Sequence, residues 1–362
     1  MKEKATLMIV NSVYQLFTAL HIRHTLLRGK QTELLLTDLL PGASDYTQRL
    51  QESRLFERIL YAKTAKLCRQ YVSGEAEKIK EGYEKTDSIF RWILNDEPAD
   101  YEAVYFANFD TFSRMLACRL YERHPQFIWY EDGFSSYVID YLKEDRAMVN
   151  RTEEGKKIGE LVTNTLLYEP RLAMRGDGIP NRRLPKVSLG NQRLRECMNA
   201  VFAYQKPRQW EDFLFLEQSF RAEGITTNDL SLMEECRHTI GEGRFLVKPH
   251  PRNKENTAFE QGLTRKYDCD VPLELILLNG DARRWNLLTV CSNAALTGRL
   301  VFGLDIPTVM LYRLFLGKVL WKEDAVLMRY LRKFWREFSG RHYYVPGTVY
   351  ELRNILEYLG GR

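Results

Sequence analysis

The adjacent carboxylates Glu131 and Asp132 are the first candidates for chemistry in this sequence. They directly follow the apolar run 127–130 and precede Gly133, so they lie where a buried strand would end. Ligands of open α/β sheets bind outside such strand ends. A carboxylate in that position can take the proton from an attacking hydroxyl if its pKa suits the reaction. The alternative is a simple turn in which Asp132 caps the next helix.

A histidine between two prolines is the second candidate. The segment Pro249-His250-Pro251 follows the apolar run 245–247, with Lys248 and Arg252 on either side. Because the prolines restrict the backbone, the imidazole loses little further entropy when it is held in one place. Such a histidine can donate a hydrogen bond or a proton to a departing phosphate, and the two cations add electrostatic stabilisation. A turn with only a structural role is the alternative.

Small polar residues after another apolar run are candidate phosphate ligands. Ser292 and Asn293 follow the run 287–290 and open a predicted helix. The backbone N–H groups of a helix N-terminus and a serine hydroxyl can together bind a phosphate. Ser292 fits an ordinary N-cap equally well, and the local sequence favours neither interpretation.

Short apolar runs that alternate with helix-like segments must position these residues. The amphipathic stretch 14–27 predicts a first helix, and runs that are apolar on both faces predict strands of covered parallel sheets. The predicted strands are 7–10, 33–37, 58–62, 103–106 and 127–130 in the first half of the chain, and 213–216, 245–247, 287–290 and 308–311 in the second. The pattern therefore predicts an α/β protein with two doubly wound domains.

Glycine and proline interrupt this pattern between about 168 and 207, which predicts a linker there. We place one Rossmann-like domain at 1–185 and a second at 186–362. Two such domains that face a central cleft form the GT-B architecture of many glycosyltransferases. The pattern alone fits other two-domain α/β enzymes as well.

Composition argues against several other classes of protein. The 53 Lys and Arg residues exceed the 48 Asp and Glu residues by too little to indicate a nucleic-acid binder. The six cysteines form no CxxC pair, so neither a zinc site nor a disulfide framework is indicated. No apolar stretch approaches the length of a membrane span, and the N-terminal run 5–10 is too short for a signal peptide. We therefore expect a cytoplasmic protein with reduced thiols.

Together these motifs resemble the bacterial sialyltransferases of glycosyltransferase families 52, 38 and 80. Those families share an acidic-acidic-glycine motif, a His-Pro motif and a hydroxyl-rich motif, in the order in which Glu131-Asp132-Gly133, His250-Pro251 and Ser292-Asn293 occur here. The segment 8–16 is similar to the first strand and helix of family 52, and 271–274 is similar to its ribose-binding segment. The resemblance spans most of the chain.

The resemblance implies roles for the residues of the first domain. Glu131 would be the general base on the acceptor hydroxyl, and Asp132 would orient the loop with Gly133. The loop after the first strand would face the cleft. Its residues are Asn11, Ser12 and Gln15.

The resemblance also implies roles for the second domain. His250, supported by Pro251, would contact the CMP phosphate and act as the acid for its departure. Glu274 would bind the ribose and Ser292 the phosphate. The other implied donor-binding residues are Lys248, Arg252 and Asn293. Asn293 departs from the family pattern of two consecutive hydroxyl residues, although its amide can still donate a hydrogen bond.

The implied reaction is an inverting transfer of sialic acid from CMP-sialic acid to a glycan hydroxyl, without metal or cofactor. CMP leaves with a single phosphate, so no metal has to bridge a diphosphate. The hydroxyl would attack the face opposite the leaving group, with acid and base divided as in an inverting glycosidase. Asp268-Cys269-Asp270 has the DxD spacing of metal-dependent glycosyltransferases, but its apolar surroundings favour a structural role.

Other interpretations remain open at this point. The donor could be CMP-Kdo or a nucleotide-diphosphate sugar, and a binding protein without catalytic activity could share the fold. The segment 329–344 mixes basic and aromatic residues, which is typical either of a helix packed on its domain or of one at an anionic membrane surface; the sequence favours packing. The acceptor would be a surface oligo- or polysaccharide, and the resemblance to family 52 allows a homodimer. The membrane interpretation of 329–344 would place the enzyme at the inner face of the membrane, beside a lipid-linked acceptor.

Overall fold

The chain forms two compact units, Met1–Ala203 and Tyr204–Arg362, which are described separately. The computed structural model describes residues 5–71, 76–97, 99–209, 211–225, 227–253, 262, 264–267, 270–280 and 285–361. Each unit contains a parallel β-sheet with helices between successive strands.

A seven-stranded parallel sheet forms the centre of the first unit, in the order β3-β2-β1-β4-β5-β6-β7. The strand order reverses between β1 and β4, and open α/β sheets bind ligands at the carboxyl ends of the strands at such a point. The strands are β1 Ala5–Val10, β2 Thr32–Thr37, β3 Ile59–Ala62, β4 Tyr101–Phe106, β5 Gln126–Tyr130, β6 Val162–Leu167 and β7 Asn181–Arg183.

Nine helices are described in the first unit, and polar residues cap several of them. The Ser12 and Asp110 side chains accept hydrogen bonds from backbone N–H groups in the first turns of α1 and α6, which fixes where each helix begins. The helices are α1 Val13–His24, α2 Ala43–Ser53, α3 Ala65–Tyr71, α4 Ala76–Glu84, α5 Thr86–Ile93, α6 Thr111–Leu120, α7 Ser135–Val138, α8 Glu153–Leu161 and α9 Gln192–Phe202. Single 3-10 turns occur at Tyr121–Arg123, Met148–Arg151 and Pro170–Leu172.

The boundary between the units differs from the one predicted at 185/186. Helix α9 belongs to the first unit because it packs on α1 and α2 of that unit, where Tyr46 meets Phe202 edge to face. The sequence placed the boundary within the Gly- and Pro-rich stretch that precedes α9, and composition alone does not show on which core a following helix packs.

The second unit has a five-stranded parallel sheet in the order β12-β11-β10-β8-β9, which reverses between β8 and β10. The strands are β8 Phe213–Leu216, β9 Phe245–Lys248, β10 Asn286–Thr289, β11 Thr308–Met310 and β12 Tyr343–Tyr344. The described helices are α10 Asp229–Ile240, α11 Leu273–Asn279, α12 Ala294–Phe302, α13 Asp324–Phe338 and α14 Val349–Gly360, with 3-10 turns at Arg221–Glu223 and Glu242–Arg244.

The structure confirms the predicted α/β fold class and each of the nine predicted strands to within two residues at either end. It adds three strands that the sequence did not predict. β6 contains Thr163, Asn164 and Thr165, β7 is polar and exposed throughout, and β12 has only two residues. None of the three forms a continuous apolar run, which is why the pattern missed them.

Buried Arg114 holds three segments of the first unit together. Its guanidinium donates to the carbonyl oxygens of Phe109 (3.0 Å), Tyr141 (3.1 Å) and Gly155 (3.1 Å). Phe109 in turn packs edge to face on Trp129 and stacks on Tyr141. This arrangement fixes the loop between β4 and α6, which carries part of the polar cluster discussed below.

No helix in the described part of the chain is long and apolar enough to cross a membrane. The five cysteines in the described part are free thiols. Cys236 and Cys291 are buried, and burial raises the pKa of both thiols well above that of an exposed thiol.

Replacing Arg114 by Met should lower the free energy of unfolding by about 3 kcal/mol, because three carbonyl groups lose their donor. Urea denaturation of the purified variant measures this loss. Arg91→Met removes an exposed arginine from α5 and is the control, with an expected change of less than about 0.5 kcal/mol. Equal stability of the two variants would contradict a bracing role for Arg114.

Candidate active site

Asn11 ties together the carboxyl ends of three neighbouring strands in the first unit. It follows β1, its Nδ2 donates to Asp110 Oδ2 (2.8 Å), and its Oδ1 accepts from the hydroxyl of Thr37 (2.8 Å). Thr37 ends β2, and Asp110 follows β4 and caps α6. Burial raises the pKa of Asp110, while the hydrogen bonds from Ser113 and Asn11 favour its charged form. Asn11 therefore has a positioning role.

Gln15 connects this cluster to the predicted acidic motif. Its Oε1 accepts the backbone N–H of Asn11 (2.7 Å), and its Nε2 donates to Asp132 Oδ2 (2.9 Å) and to Asn108. Asp132 is partly exposed. Burial of its carboxyl raises its pKa to about 6, and the hydrogen bond from Gln15 acts in the opposite direction. The neutral amide thus holds the carboxylate in place without adding charge.

Glu131 is completely buried beside Asp132. Three donors surround its carboxylate: the Tyr14 hydroxyl (3.2 Å), the Tyr137 hydroxyl (2.5 Å) and the Tyr168 backbone N–H (2.8 Å). Burial raises the pKa of Glu131 to about 7, although these hydrogen bonds and the charge of Lys186 favour the ionised form. A carboxyl with that pKa can exchange a proton near neutral pH.

At this edge of the sheet the structure differs from two expectations that were based on the sequence. Asn11 and Gln15 are buried and do not present their side chains to solvent, because both are used in the hydrogen bonds just described. Partly exposed Ser12 caps α1 by accepting the Gln15 N–H (3.2 Å). Asp132 does not cap the next helix: α7 begins after Phe134 without a side-chain cap.

Gly133 gives the loop after β5 its turn, since its φ of 67° lies in the left-handed region that favours glycine. The turn lets the Asp132 backbone N–H donate to the Ser136 hydroxyl (2.7 Å). The Ser135 hydroxyl donates to the Asp132 carbonyl (2.8 Å). The left-handed turn and these two hydrogen bonds explain why an acidic pair here is followed by glycine and serines.

Several residues of this cluster were missed from the sequence. Tyr14 and Tyr137, which bind Glu131, are apolar by pattern and gave no signal of a polar role. Glu169 is buried after β6, where Lys186 Nζ lies 2.9 Å from Oε1 and Arg171 Nε lies 3.3 Å from Oε2. The strand-end rule would have found Glu169 if β6 had been predicted.

The second unit has a corresponding cluster at the carboxyl ends of β8, β9 and β10. Glu217 follows β8 and is buried, and its Oε2 accepts the backbone N–H of His250 (3.0 Å). Its other oxygen pairs with Arg221. Gln218 Oε1 accepts the Cys291 N–H (2.6 Å), which connects the end of β8 to the loop after β10. Neither Glu217 nor Gln218 was singled out from the sequence, although both directly follow a predicted strand.

The hydrogen bonding of His250 defines which ring nitrogen carries its proton. His250 Nδ1 accepts the Arg252 backbone N–H (3.2 Å), so in the neutral ring the proton resides on Nε2. Burial lowers the pKa of His250, and the Arg252 charge lowers it further, against the opposing effect of Glu217. His250 is therefore a neutral hydrogen-bond donor near pH 7. The Arg252 side chain binds the Ser219 hydroxyl (3.0 Å).

Ser292 and Asn293 lie before α12 as predicted. The Ser292 Oγ accepts the Ala294 N–H (3.3 Å), and its own N–H donates to the Thr289 hydroxyl (3.0 Å). Neither caps α12 in the usual way, because Asn293 occupies the N-cap position without a side-chain hydrogen bond. Asn293 Oδ1 is buried and has no hydrogen-bond partner among the residues that the structure describes.

Glu274 is buried in the first turn of α11. Burial raises its pKa to about 6, while hydrogen bonds, one of them from the Thr297 hydroxyl, and the charge of Lys248 favour the ionised form. Glu274 of α11, Lys248 at the end of β9 and Thr297 of α12 therefore lie close to one another. Pro251 is exposed next to His250.

No group of three or more His, Cys, Asp and Glu in the described part of the chain could hold a metal ion. Asp268 and Cys269 of the DxD segment lie outside the described residues. The expectation that no metal is needed therefore stays a prediction.

Two Rossmann-like α/β units of this kind define the GT-B class of fold, and comparison with solved structures supports this assignment. Arabidopsis thaliana UGT89C1 with UDP-L-rhamnose matches 99% of this chain and 90% of its own, with a TM-score of 0.56 and 14% identity. The glycotransferase of kitacinnamycin matches 100% and 92%, with a TM-score of 0.52 and 11% identity.

A third match is UDP-GlcNAc 2-epimerase from Methanocaldococcus jannaschii, with 99% and 93% coverage, a TM-score of 0.51 and 10% identity. At such identities the likeness shows the fold alone. No model of a protein family matches the sequence, and no curated protein matches it.

Glu131 should make folding stability depend on pH. Its pKa is about 7 in the folded protein and 4.5 in a model peptide, so the folded state holds the proton more tightly. The stabilisation is complete below the lower value and is lost as the pH rises through the upper one. Glu131→Gln should flatten the decline of the unfolding free energy over that interval, as measured by urea denaturation at a series of pH values.

The exposed Glu122→Gln variant is the matched control and should keep the wild-type slope. Asp132 and Glu274 have pKa values that are raised to about 6. In both variants these two groups also lower the unfolding free energy as the pH rises. A Glu131→Gln profile as steep as that of the wild type would show that Glu131 does not titrate in this range.

Proposed function

We propose that the protein is a glycosyltransferase that moves a sugar from a nucleotide-sugar donor to a hydroxyl of a glycan acceptor. The observation that carries the proposal is the cluster of the second unit, where a neutral His250 that donates through Nε2 follows β9 and Ser292 precedes α12. These groups offer hydrogen bonds to an oxyanion. The GT-B fold supports the same class of reaction, because its solved members include sugar transferases.

The donor that we propose is CMP-sialic acid, on the basis of the three ordered motifs. His250 and Ser292 would bind the single phosphate of CMP, with Lys248 and Arg252 as nearby positive charges. Buried Glu274 would reach the ribose only if donor binding rearranges the first turn of α11, because its carboxylate interacts with Thr297 and Lys248. Asn293 would contribute its amide beside Ser292.

The acceptor proton would pass to the acidic pair of the first unit. The resemblance assigns the proton to Glu131, which is buried and accepts a hydrogen bond from the partly exposed Tyr14. Asp132 is itself partly exposed and is aimed by Gln15. We therefore propose that Asp132 contacts the acceptor hydroxyl and acts as its general base. Glu131 is the alternative general base. Attack on the face opposite the phosphate inverts the anomeric configuration.

Nucleotide binding tests the donor assignment. Calorimetry with CMP, CDP, UDP and GDP, with and without EDTA, should show selective binding of CMP that EDTA does not change. His250→Ala should weaken CMP binding about tenfold, because it removes one hydrogen bond to a charged phosphate. His238→Ala removes an exposed histidine from α10 and should bind CMP like the wild type.

Preference for UDP, or loss of binding in EDTA, would contradict the CMP donor. It would favour a second candidate, a UDP-sugar transferase or epimerase, because the solved structures of similar fold include UGT89C1 with UDP-L-rhamnose and a UDP-GlcNAc 2-epimerase. Selective CMP binding without turnover in an acceptor screen with CMP-sialic acid would instead point to a binding protein without catalytic activity.

The pH dependence of turnover identifies the base. Activity should rise with pH as the base ionises, through about 6 if Asp132 is the base and through about 7 if Glu131 is. Asp132→Asn should lower kcat by about a thousandfold and Glu131→Gln by less, with Glu122→Gln as the control. A larger loss in Glu131→Gln, with the wild-type inflection retained in Asp132→Asn, would assign the base to Glu131.

A further inference from the structure

Two large apolar side chains are strongly exposed in the loop between β11 and α13. Leu316 is 72% exposed and Trp321 is 74% exposed. Exposed Lys318 and Lys322 lie beside them in sequence, and Lys322 Nζ lies 5.8 Å from the centroid of the Trp321 ring. Tryptophan and lysine are residues that accumulate at membrane–water interfaces.

The loop is held in place by its own contacts. The Leu316 backbone N–H donates to Asn228 Oδ1 (2.8 Å), and the Val319 N–H donates to Asp324 Oδ1 (2.8 Å) at the start of α13. Phe315 turns inward and stacks on Phe220. The exposed side chains are therefore presented by an anchored backbone, and they need not be ordered again when they bind a partner.

Helix α13, which directly follows the loop in the chain, carries positive charge on its exposed face. Its apolar face packs in the second unit, as the sequence favoured, and the buried residues are Leu327, Tyr330, Leu331, Phe334 and Phe338. The apolar side of the helix is thus unavailable to a membrane. The opposite face carries exposed Arg329, Arg332 and Arg336, at the three- and four-residue spacing that aligns side chains on a helix, and Trp335 is 45% exposed beside them.

The loop and α13 lie in a segment with an excess of positive charge. Residues 313–341 contain eight Lys and Arg residues against three Asp and Glu residues. Residues 180–208 carry a comparable excess, with seven Lys and Arg residues against one Glu, but the strongly exposed apolar side chains Leu316 and Trp321 lie in the segment 313–341. A concentrated basic segment with exposed tryptophan fits an anionic bilayer, whose surface attracts each nearby Lys or Arg.

We propose that the loop 316–322 and the outer face of α13 form a surface that binds anionic membranes. Leu316 and Trp321 enter the headgroup region, while Arg329, Arg332 and Arg336 contact the charged lipid headgroups. This surface extends beyond the segment 329–344 that the sequence indicated, and its apolar contribution comes from the loop and not from the buried face of the helix.

A second copy of the chain is a poorer occupant of this surface. In a two-fold dimer the same patch would face itself, so the basic excess of one protomer would oppose that of the other. A membrane rich in anionic lipid provides the opposite charge. The proposal concerns where the protein resides, and it stands or falls independently of the glycosyl transfer proposed above.

Co-sedimentation with vesicles tests the proposal. The full chain should bind vesicles rich in phosphatidylserine, bind vesicles of phosphatidylcholine alone weakly, and lose affinity as the salt concentration rises. The Arg329/Arg332/Arg336→Gln triple variant should bind about a hundredfold more weakly, since each of three cations near the surface is lost. The Leu316→Ser/Trp321→Ala variant should bind roughly tenfold more weakly because apolar contact is removed.

Matched controls lie in the first unit. Trp92 is 64% exposed with Lys66 Nζ 5.4 Å from its ring centroid, so Trp92→Ala removes a similar Trp–Lys pair. The Lys78/Lys80/Lys85→Gln variant removes three exposed cations. Both controls should bind like the wild type, and circular dichroism should show that every variant folds.

Fluorescence identifies the residue that enters the bilayer. Vesicles with brominated lipid should quench the wild-type tryptophan emission, and Trp321→Phe should lose more of this quenching than Trp92→Phe. The proposal is overturned if the wild type fails to bind phosphatidylserine vesicles, or if the control variants lose as much affinity as the surface variants. Self-association in sedimentation velocity that Trp321→Ala abolishes, without vesicle binding, would assign the surface to a second copy.

Discussion

Both sheets of this protein are parallel and buried along most of their strands, so polar side chains can gather only where the strands end. At those ends the groups must satisfy one another, since unpaired buried polar groups are costly. A neutral glutamine does so in each unit. Gln15 joins the end of β1 to Asp132 after β5, and Gln218 joins the end of β8 to the loop after β10. The two clusters of candidate active-site residues are products of this shared constraint.

The same burial sets the protonation of the groups that would act. It raises the pKa of Glu131 and Asp132 and lowers the pKa of His250, in each case because the charged form is less well solvated. Two carboxyls with raised pKa values and a neutral imidazole suit the proton exchange and phosphate binding that we propose for these groups. The tyrosine hydroxyls around Glu131 moderate this effect, because they stabilise its ionised form.

Continuous apolar runs made most strands predictable, and the residues after them led to His250, Ser292 and the acidic pair. Burial within a motif was not predictable in the same way. Glu131 and Asp132 are neighbours in sequence, yet one is enclosed by Tyr14, Tyr137 and Tyr168 while the other is partly exposed, and only the packing of distant segments decides which. The ion pair between Glu169 and Lys186 was missed for the same reason, since it depends on the register of a polar edge strand.

The edges of the seven-stranded sheet bear on how the chain behaves when it is crowded. Edge strand β7 is exposed and carries Arg182 and Arg183, whose charges oppose pairing with another strand. At the other edge, the backbone of β3 bonds with the segment 93–95, through the Lys63 N–H to Ile93 and the Asn95 N–H to Tyr61. Charged side chains thus disfavour strand pairing at one edge of the sheet, and a hydrogen-bonded segment covers the other edge. Such protection against amyloid-like stacking would matter most for a protein concentrated on a two-dimensional surface.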